Sequence, residues 1–202
     1  MNDLLIIFTK NARFGQVKTR LAKVIGEEQA LAIHHNLVAM TAATIESLSS
    51  QKIVYFSEHN DEGSPLSKIA VDSKIQQGNN LGERMHNAFE ECYALGFKRM
   101  LLIGSDCPSL TNDLLFQAFE KLSNVPVVLG PAEDGGYYLV GLQAPKAELF
   151  DQINWGTSTV LEETINICHQ QNVAFSLLPI HRDLDTYDDL IAHFPNWKIE
   201  EK

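Results

Sequence analysis

The chain has 202 residues, with 16 Lys+Arg against 26 Asp+Glu, a formal net charge of −10 at pH 7, and 45% hydrophobic residues. That length and balance predict one globular domain spanning residues 1–202 around a continuous core. The acidity argues against general nucleic-acid binding and against an anionic membrane surface, and no apolar stretch reaches the ~20 residues needed to cross a bilayer.

The opening Met1-Asn2-Asp3 has no basic run and does not resemble a signal peptide. Cys92, Cys107 and Cys168 are isolated, odd in number and without metal-site spacing, which suits reduced thiols in a cytoplasm. Along the chain, Leu4-Leu5-Ile6-Ile7-Phe8 reads as a buried strand. It is followed by a loop holding Gly15 and the cations Lys10, Arg13, Lys18 and Arg20. So many cations close together in an acidic protein suggest an anionic partner. Backbone N–H groups beside Gly15 would add to a phosphate cradle. The plainer alternative is a solvated turn with scattered charges.

Residues 27–48 keep helical spacing through Ala30, Leu31, Ile33, Leu37, Val38 and Ile45. Ile53–Phe56 is a second strand, ended by a polar stretch from Glu58 to Ser64, and Lys74-Ile75-Gln76 a short third one. Leu81–Leu95 is helical, Arg99–Gly104 the clearest central strand, and Leu110–Leu122 a helix capped near Thr111 or Asn112. Pro126–Leu129 and Tyr137–Leu142 are strands joined through Asp134-Gly135-Gly136. Thr157–Gln170 is helical, Val173–Leu178 a strand and Thr186–His193 a terminal helix. This alternation predicts a three-layer α/β/α fold with a mostly parallel central sheet.

In such sheets ligands sit beyond the carboxyl ends of the strands. The central strand delivers Asp106 there, followed by Pro108. A carboxylate so placed is a natural ligand for Mg²⁺ or Mn²⁺, or else a helix cap. Asp134 with Gly135 and Gly136 is either hairpin punctuation or a place where backbone approaches a ligand closely. Asp183 and Asp185 precede the last helix and are again ligands or caps. Acidic loops opposite one basic loop suit a phosphate chain bridged by a divalent metal. His34, His35 and His193 lack partners at ligand spacing. Gly15 to Thr19 lacks the glycines of a P-loop, and no Gly-x-Gly-x-x-Gly follows a strand.

These stretches resemble the glycosyltransferase-A-like proteins of the DUF2064 family, in the nucleotide-diphospho-sugar transferase superfamily. The resemblance is carried by Phe8-Thr9-Lys10 with Gly15–Leu21, Gly104–Leu110, Gly130–Leu142, Trp155–Val160 and Asp183–Thr186, in family order. One departure is Asn11-Ala12-Arg13-Phe14, where the family often has Pro; it bears on the rigidity of the loop and leaves its charge intact. The resemblance implies a Rossmann-like glycosyltransferase-A sheet with a nucleotide at its N-terminal half. Lys10, Lys18 and Arg20, with Gly15 and Thr19, would hold phosphates. Asp106, with Asp185 or Asp183, would hold the metal. Asp134, Gly135, Gly136 and Tyr137, with Thr157 and Ser158 from the later block, would shape the acceptor pocket.

Fold alone does not fix the reaction. The basic loop favours a metal-dependent nucleotidyltransferase: a small anionic acceptor attacks a nucleoside triphosphate and pyrophosphate leaves, with Lys18, Asp106 and Asp134 as catalytic candidates. The alternatives are a glycosyltransferase using a nucleotide-sugar, with Asp134 as base, and a nucleotide-binding regulator without turnover. Neither nucleic acid nor membrane is expected as a partner. Apolar surface residues would support a homodimer, though sequence does not separate them from core.

Overall fold

The computed structural model describes residues 3–198. Met1 and Asn2, on which the absence of a signal peptide was partly read, lie outside the described residues. The strands are β1 (Asp3–Thr9), β2 (Gln51–Phe56), β3 (Asp72–Ile75), β4 (Arg99–Gly104), β5 (Val127–Pro131), β6 (Tyr137–Leu142) and β7 (Phe175–Leu177). They form one sheet in the order β3-β2-β1-β4-β6-β5-β7. β6 pairs antiparallel with β4 and β5, and the other pairings are parallel. Each strand anticipated from sequence is present, although β7 is shorter than Val173–Leu178.

The helices are α1 (Thr19–Ile25), α2 (Glu27–Glu46), α3 (Pro65–Ile69), α4 (Leu81–Ala94), α5 (Asn112–Leu122), α6 (Val160–Gln170) and α7 (Tyr187–His193). Alternate residues of each strand point to opposite faces. Leu5 and Ile7 of β1 therefore join Val38, Ile45, Leu66, Leu114 and Leu115, contributed by α2, α3 and α5. Leu4, Ile6 and Phe8 join Met85, Phe89 and Cys168, contributed by α4 and α6. The result is the expected three-layer α/β/α arrangement, with both sheet faces covered.

Two short helices depart from the sequence reading. α1 begins inside what reads as a basic loop, because Leu21 and Ile25 lie one turn apart and bury against Ala30, Ile33, Leu37 and Leu190. α3 starts at a signal the polar composition concealed: Ser64 accepts a hydrogen bond from the Leu66 N–H at 3.3 Å, with Pro65 in the first turn. α6 begins at Val160 rather than Thr157, because the hydroxyls of Thr157 and Thr159 bond within the preceding loop. Thr111 is the cap of α5, accepting from Leu114 N–H at 3.2 Å.

Asn11 ties down the loop after β1. Its Oδ1 accepts from the Glu58 and His59 N–H groups at 2.9 and 3.2 Å, and its Nδ2 donates to the His59 carbonyl at 2.8 Å. Hydrogen bonds to the loop after β2 thus fix the loop after β1. Asn11→Ala leaves those buried-edge backbone groups unpaired and is expected to cost about 1–3 kcal/mol in denaturant unfolding. A midpoint equal to that of the wild type would refute the clamp.

Candidate active site

β1 and β4 are parallel neighbours, and their carboxyl ends open onto a common rim. The Thr9 and Ser105 hydroxyls meet there at 3.0 Å and lock the two strand ends together. Lys18 sits at the N-cap of α1 in the left-handed region, φ 49° and ψ 43°, a conformation that costs a non-glycine residue roughly 1–2 kcal/mol. Its ammonium is only 3% exposed and lies 2.7 Å from Asp106 Oδ1. It also donates to the Leu184 carbonyl. Leu184 N–H in turn donates to the Asp106 carbonyl at 2.8 Å. The loop after β1, the end of β4 and the segment before α7 are therefore held by one buried cation. A buried ammonium needs such partners, since unpaired it would cost several kcal/mol.

The acidic candidates separate by environment. Asp183 has its carboxyl pushed up to about 7, first by burial and then by the charges of Asp106 and Asp134, against the pull of Lys18. Its Oδ1 is buried without a hydrogen-bond partner among the described residues. Burial likewise raises the neighbouring Cys107 thiol to about 11, so it is no nucleophile at neutral pH. Asp185 is half-exposed and pairs with Arg20 at 3.3 Å. Neither Asp183 nor Asp185 caps α7: Thr186 does, in a capping box with Asp189. Asp106 is likewise free of the capping role, which Thr111 fills.

The segment between β5 and β6 is a hairpin turn, and part of it also lines the cleft. Asp134 Oδ1 accepts from Gly136 N–H at 3.0 Å, an Asx turn, yet the residue faces the cleft. Gly135 has φ +88°, and a Cβ there would come within 2.0 Å of the Ser158 carbonyl oxygen. Gly135 thus lets the hairpin touch the loop before α6. That loop is braced by Glu163, which accepts from Asn154 N–H at 2.8 Å and from the Thr159 hydroxyl at 2.7 Å. Tyr137 packs edge-on against Trp155, with ring centroids 6.3 Å apart. Its hydroxyl is buried, so the ring, rather than the oxygen, is what it offers the cleft.

These groups surround a cleft of about 740 Å³. Of the phosphate candidates, Lys10, Lys18, Thr19 and Arg20 line it. Gly15 does not; the Glu27 carboxylate lies 3.3 Å from where its Cβ would be. Arg13 turns away to pair with Glu58 at 2.6 Å. Asp106, Asp134 and Asp185 line the cleft, as do the acceptor candidates Gly136, Tyr137, Thr157 and Ser158, while Gly135 lies behind the wall. Sequence reasoning overlooked Gln76, a polar residue in the cleft wall taken only as a strand end. His34, set aside for lack of a partner at ligand spacing, has its Nε2 3.2 Å from the Lys10 carbonyl. A second hollow of about 800 Å³ lies between α2 and α7, walled by Ile33, Met40 and Trp197, and contains no site candidate.

Among the described residues no group of three or more His, Cys, Asp or Glu is placed to hold a metal ion. A Mg²⁺ or Mn²⁺ bound mainly by substrate needs less, since such ions use one or two carboxylates plus phosphate oxygens and water. The orphaned Asp183 Oδ1 and the crowding of Asp183 by Asp106 and Asp134 fit that demand. No helix among the described residues is long and apolar enough to cross a membrane.

The family model described as "Uncharacterized protein conserved in bacteria (DUF2064)" matches residues 39–157. A solved structure from Desulfovibrio desulfuricans G20, provisionally described as a nucleotide-diphospho-sugar transferase, is 28% identical. It superposes with a TM-score of 0.88 over 98% of this chain and 89% of that one. A cytidylyltransferase from Leptospira borgpetersenii serovar Hardjo-bovis is similar at 14% identity, with a TM-score of 0.56 over 100% of this chain and 90% of that one. A manganese complex of Rv0371c from Mycobacterium tuberculosis H37Rv is 11% identical, with a TM-score of 0.53 over 96% and 99% of the two chains. At such low identity the last two establish the fold alone. A comparison with curated proteins finds no match.

Asp183 generates a pH dependence whose sign is fixed. Its folded carboxyl titrates near 7 and its unfolded one near the usual 3.8, so the native state holds a proton that the unfolded chain has lost. Stability from this group is complete below about pH 4 and is lost as pH rises to about 7. In metal-free buffer, Asp183→Asn should remove that slope and leave the variant more stable than wild type at about pH 8. Denaturant unfolding across the range checks it; an unchanged slope would refute the assignment.

Proposed function

The chain belongs to the DUF2064 family, and we propose that it is a nucleotidyltransferase acting on a nucleoside triphosphate and a small anionic acceptor. The observation that carries this reading is the buried Lys18 ammonium, clamped by Asp106 in a cleft that also presents Lys10 and Arg20. Cations paired side by side with carboxylates in the cleft wall, Lys18 with Asp106 and Arg20 with Asp185, suit a polyphosphate and its metal better than a neutral ligand. A nucleotidyl- or sugar-transfer function in general is supported by the similarity to the Desulfovibrio protein and by the cytidylyltransferase fold.

In this reading Lys18 and Arg20 hold the β- and γ-phosphates, with Lys10 at the mouth of the cleft. An acceptor oxygen attacks the α-phosphorus, the bond from that phosphorus to the bridging oxygen breaks, and pyrophosphate departs. A divalent ion, when bound, neutralises phosphate charge and draws the oxygens into line. Asp106 and Asp185, both in the cleft wall, would hold it once Asp185 is freed from Arg20, with the more buried Asp183 as the alternative. Thr157, Ser158 and the Tyr137 ring offer the acceptor its seat, and the fixed Lys18 offsets charge gathering on the leaving group.

One observation favours sugar transfer from a nucleotide-sugar as the second reading. Arg13 and Arg20 are each engaged by a carboxylate, Glu58 and Asp185, which leaves fewer unneutralised cations than a triphosphate would use. Asp134, exposed in the cleft, would then be the base for an acceptor hydroxyl.

The readings part on product. With Mg²⁺, nucleoside triphosphates, nucleotide-sugars and a metabolite extract, release of pyrophosphate is expected. Release of nucleoside diphosphate instead would select sugar transfer, and binding without either product would select a regulator. Lys18→Ala should weaken triphosphate binding by roughly 1–3 kcal/mol, the scale of a charge-assisted hydrogen bond, as read by calorimetric titration. Asp106→Asn should lose the part of the affinity that depends on metal. Unaltered titrations would remove both residues from the site.

A further inference from the structure

Gln76, immediately after β3, reaches the same cleft from the side of β1 and β2. Its backbone N–H donates to the Phe56 carbonyl at 2.9 Å, carrying the ladder one step past the strands. Its side-chain Nε2 donates to the Tyr55 carbonyl at 3.0 Å and the Thr9 carbonyl at 3.4 Å. An amide nitrogen held against carbonyls fixes the oxygen on the opposite side, because the flipped amide would set oxygen against oxygen. Oε1 has no partner among the described residues, and it is not among the buried unpaired atoms. It is an unused acceptor on a residue of the cleft wall.

The surroundings narrow what it receives. Leu81 at the head of α4 is 46% exposed, and with Met85 and Phe8 it gives this part of the cleft an apolar wall. An acceptor oxygen repels phosphate, and an apolar wall suits a flat ring. A heterocycle bearing an N–H donor on its edge satisfies both. We propose that Gln76 Oε1 selects a nucleobase by the exocyclic amino group at the position of cytosine N4 or adenine N6, so that cytidine or adenosine triphosphate is preferred over its oxo counterpart, uridine or inosine triphosphate. This rests on the nucleotide reading above and extends it to the class of base. An oxo group in the same place faces Oε1 with a second acceptor and leaves both unpaired, which is how a polar site rejects an analogue.

Calorimetric titration with Mg²⁺ tests this in the wild type, comparing CTP with UTP and ATP with ITP, with inorganic pyrophosphate as the base-free probe. The amino member of the pair that the cleft accepts should bind about tenfold or more tightly. Gln76→Met, similar in length but without the amide, should lose that preference while binding pyrophosphate as the wild type does. Equal affinities within both pairs overturn the proposal, as does a preference that survives in Gln76→Met. The wild-type comparison stands even if the variant does not fold. Pyrophosphate and all nucleotides failing to bind would instead bring down the nucleotide reading, and this assignment with it.

Discussion

A lysine ammonium with 3% of its side chain exposed holds the working edge of this protein together. Lys18 cannot be buried without acceptors, and those it finds, Asp106 and the Leu184 carbonyl, belong to segments far apart in sequence. The left-handed backbone at Lys18 is tolerated because these partners over-determine it. Beside the pair, burial first and then the charges of Asp106 and Asp134 push the Asp183 carboxyl up to about 7, against the pull of Lys18. Position, strain and charge at the rim are therefore one coupled arrangement.

The frame of the molecule was legible because its signals are strong. β4 is an apolar run between charged flanks, and β1 is another, both typical of strands buried on two faces. α4 and α5 show apolar residues at helical spacing, with Met85, Phe89 and Cys92 or Leu114, Ala118 and Leu122 buried. α1 and α3 escaped notice because seven and five residues are too short for periodicity to accumulate. Their boundaries lie in capping chemistry instead, at Ser64-Pro65 and at Gly26.

The site was legible as charge and not as geometry. Lys18 and Asp106 stand out because they follow strands and oppose each other in sign. Nothing in the sequence separates Arg20, which faces the cleft, from Arg13, which faces Glu58. Nor does it separate Asp183 from Asp185, two residues apart in the chain and yet buried-edge and half-exposed respectively. Gln76 and Glu163 act through hydrogen bonds to backbone, an effect that leaves no pattern of type or spacing to detect.

The single reversed strand has a consequence for how such a protein can diversify. Because β6 alone runs against its neighbours, the turn from β5 opens on the rim that the parallel strands already share. A wholly parallel sheet would need a complete crossover helix to bring another segment there. Here Asp134, Gly135 and Gly136 do so in one tight corner, packed against the loop before α6 and the first turn of α6. Insertions or exchanges at that corner would remodel the doorway while leaving the floor beneath it untouched.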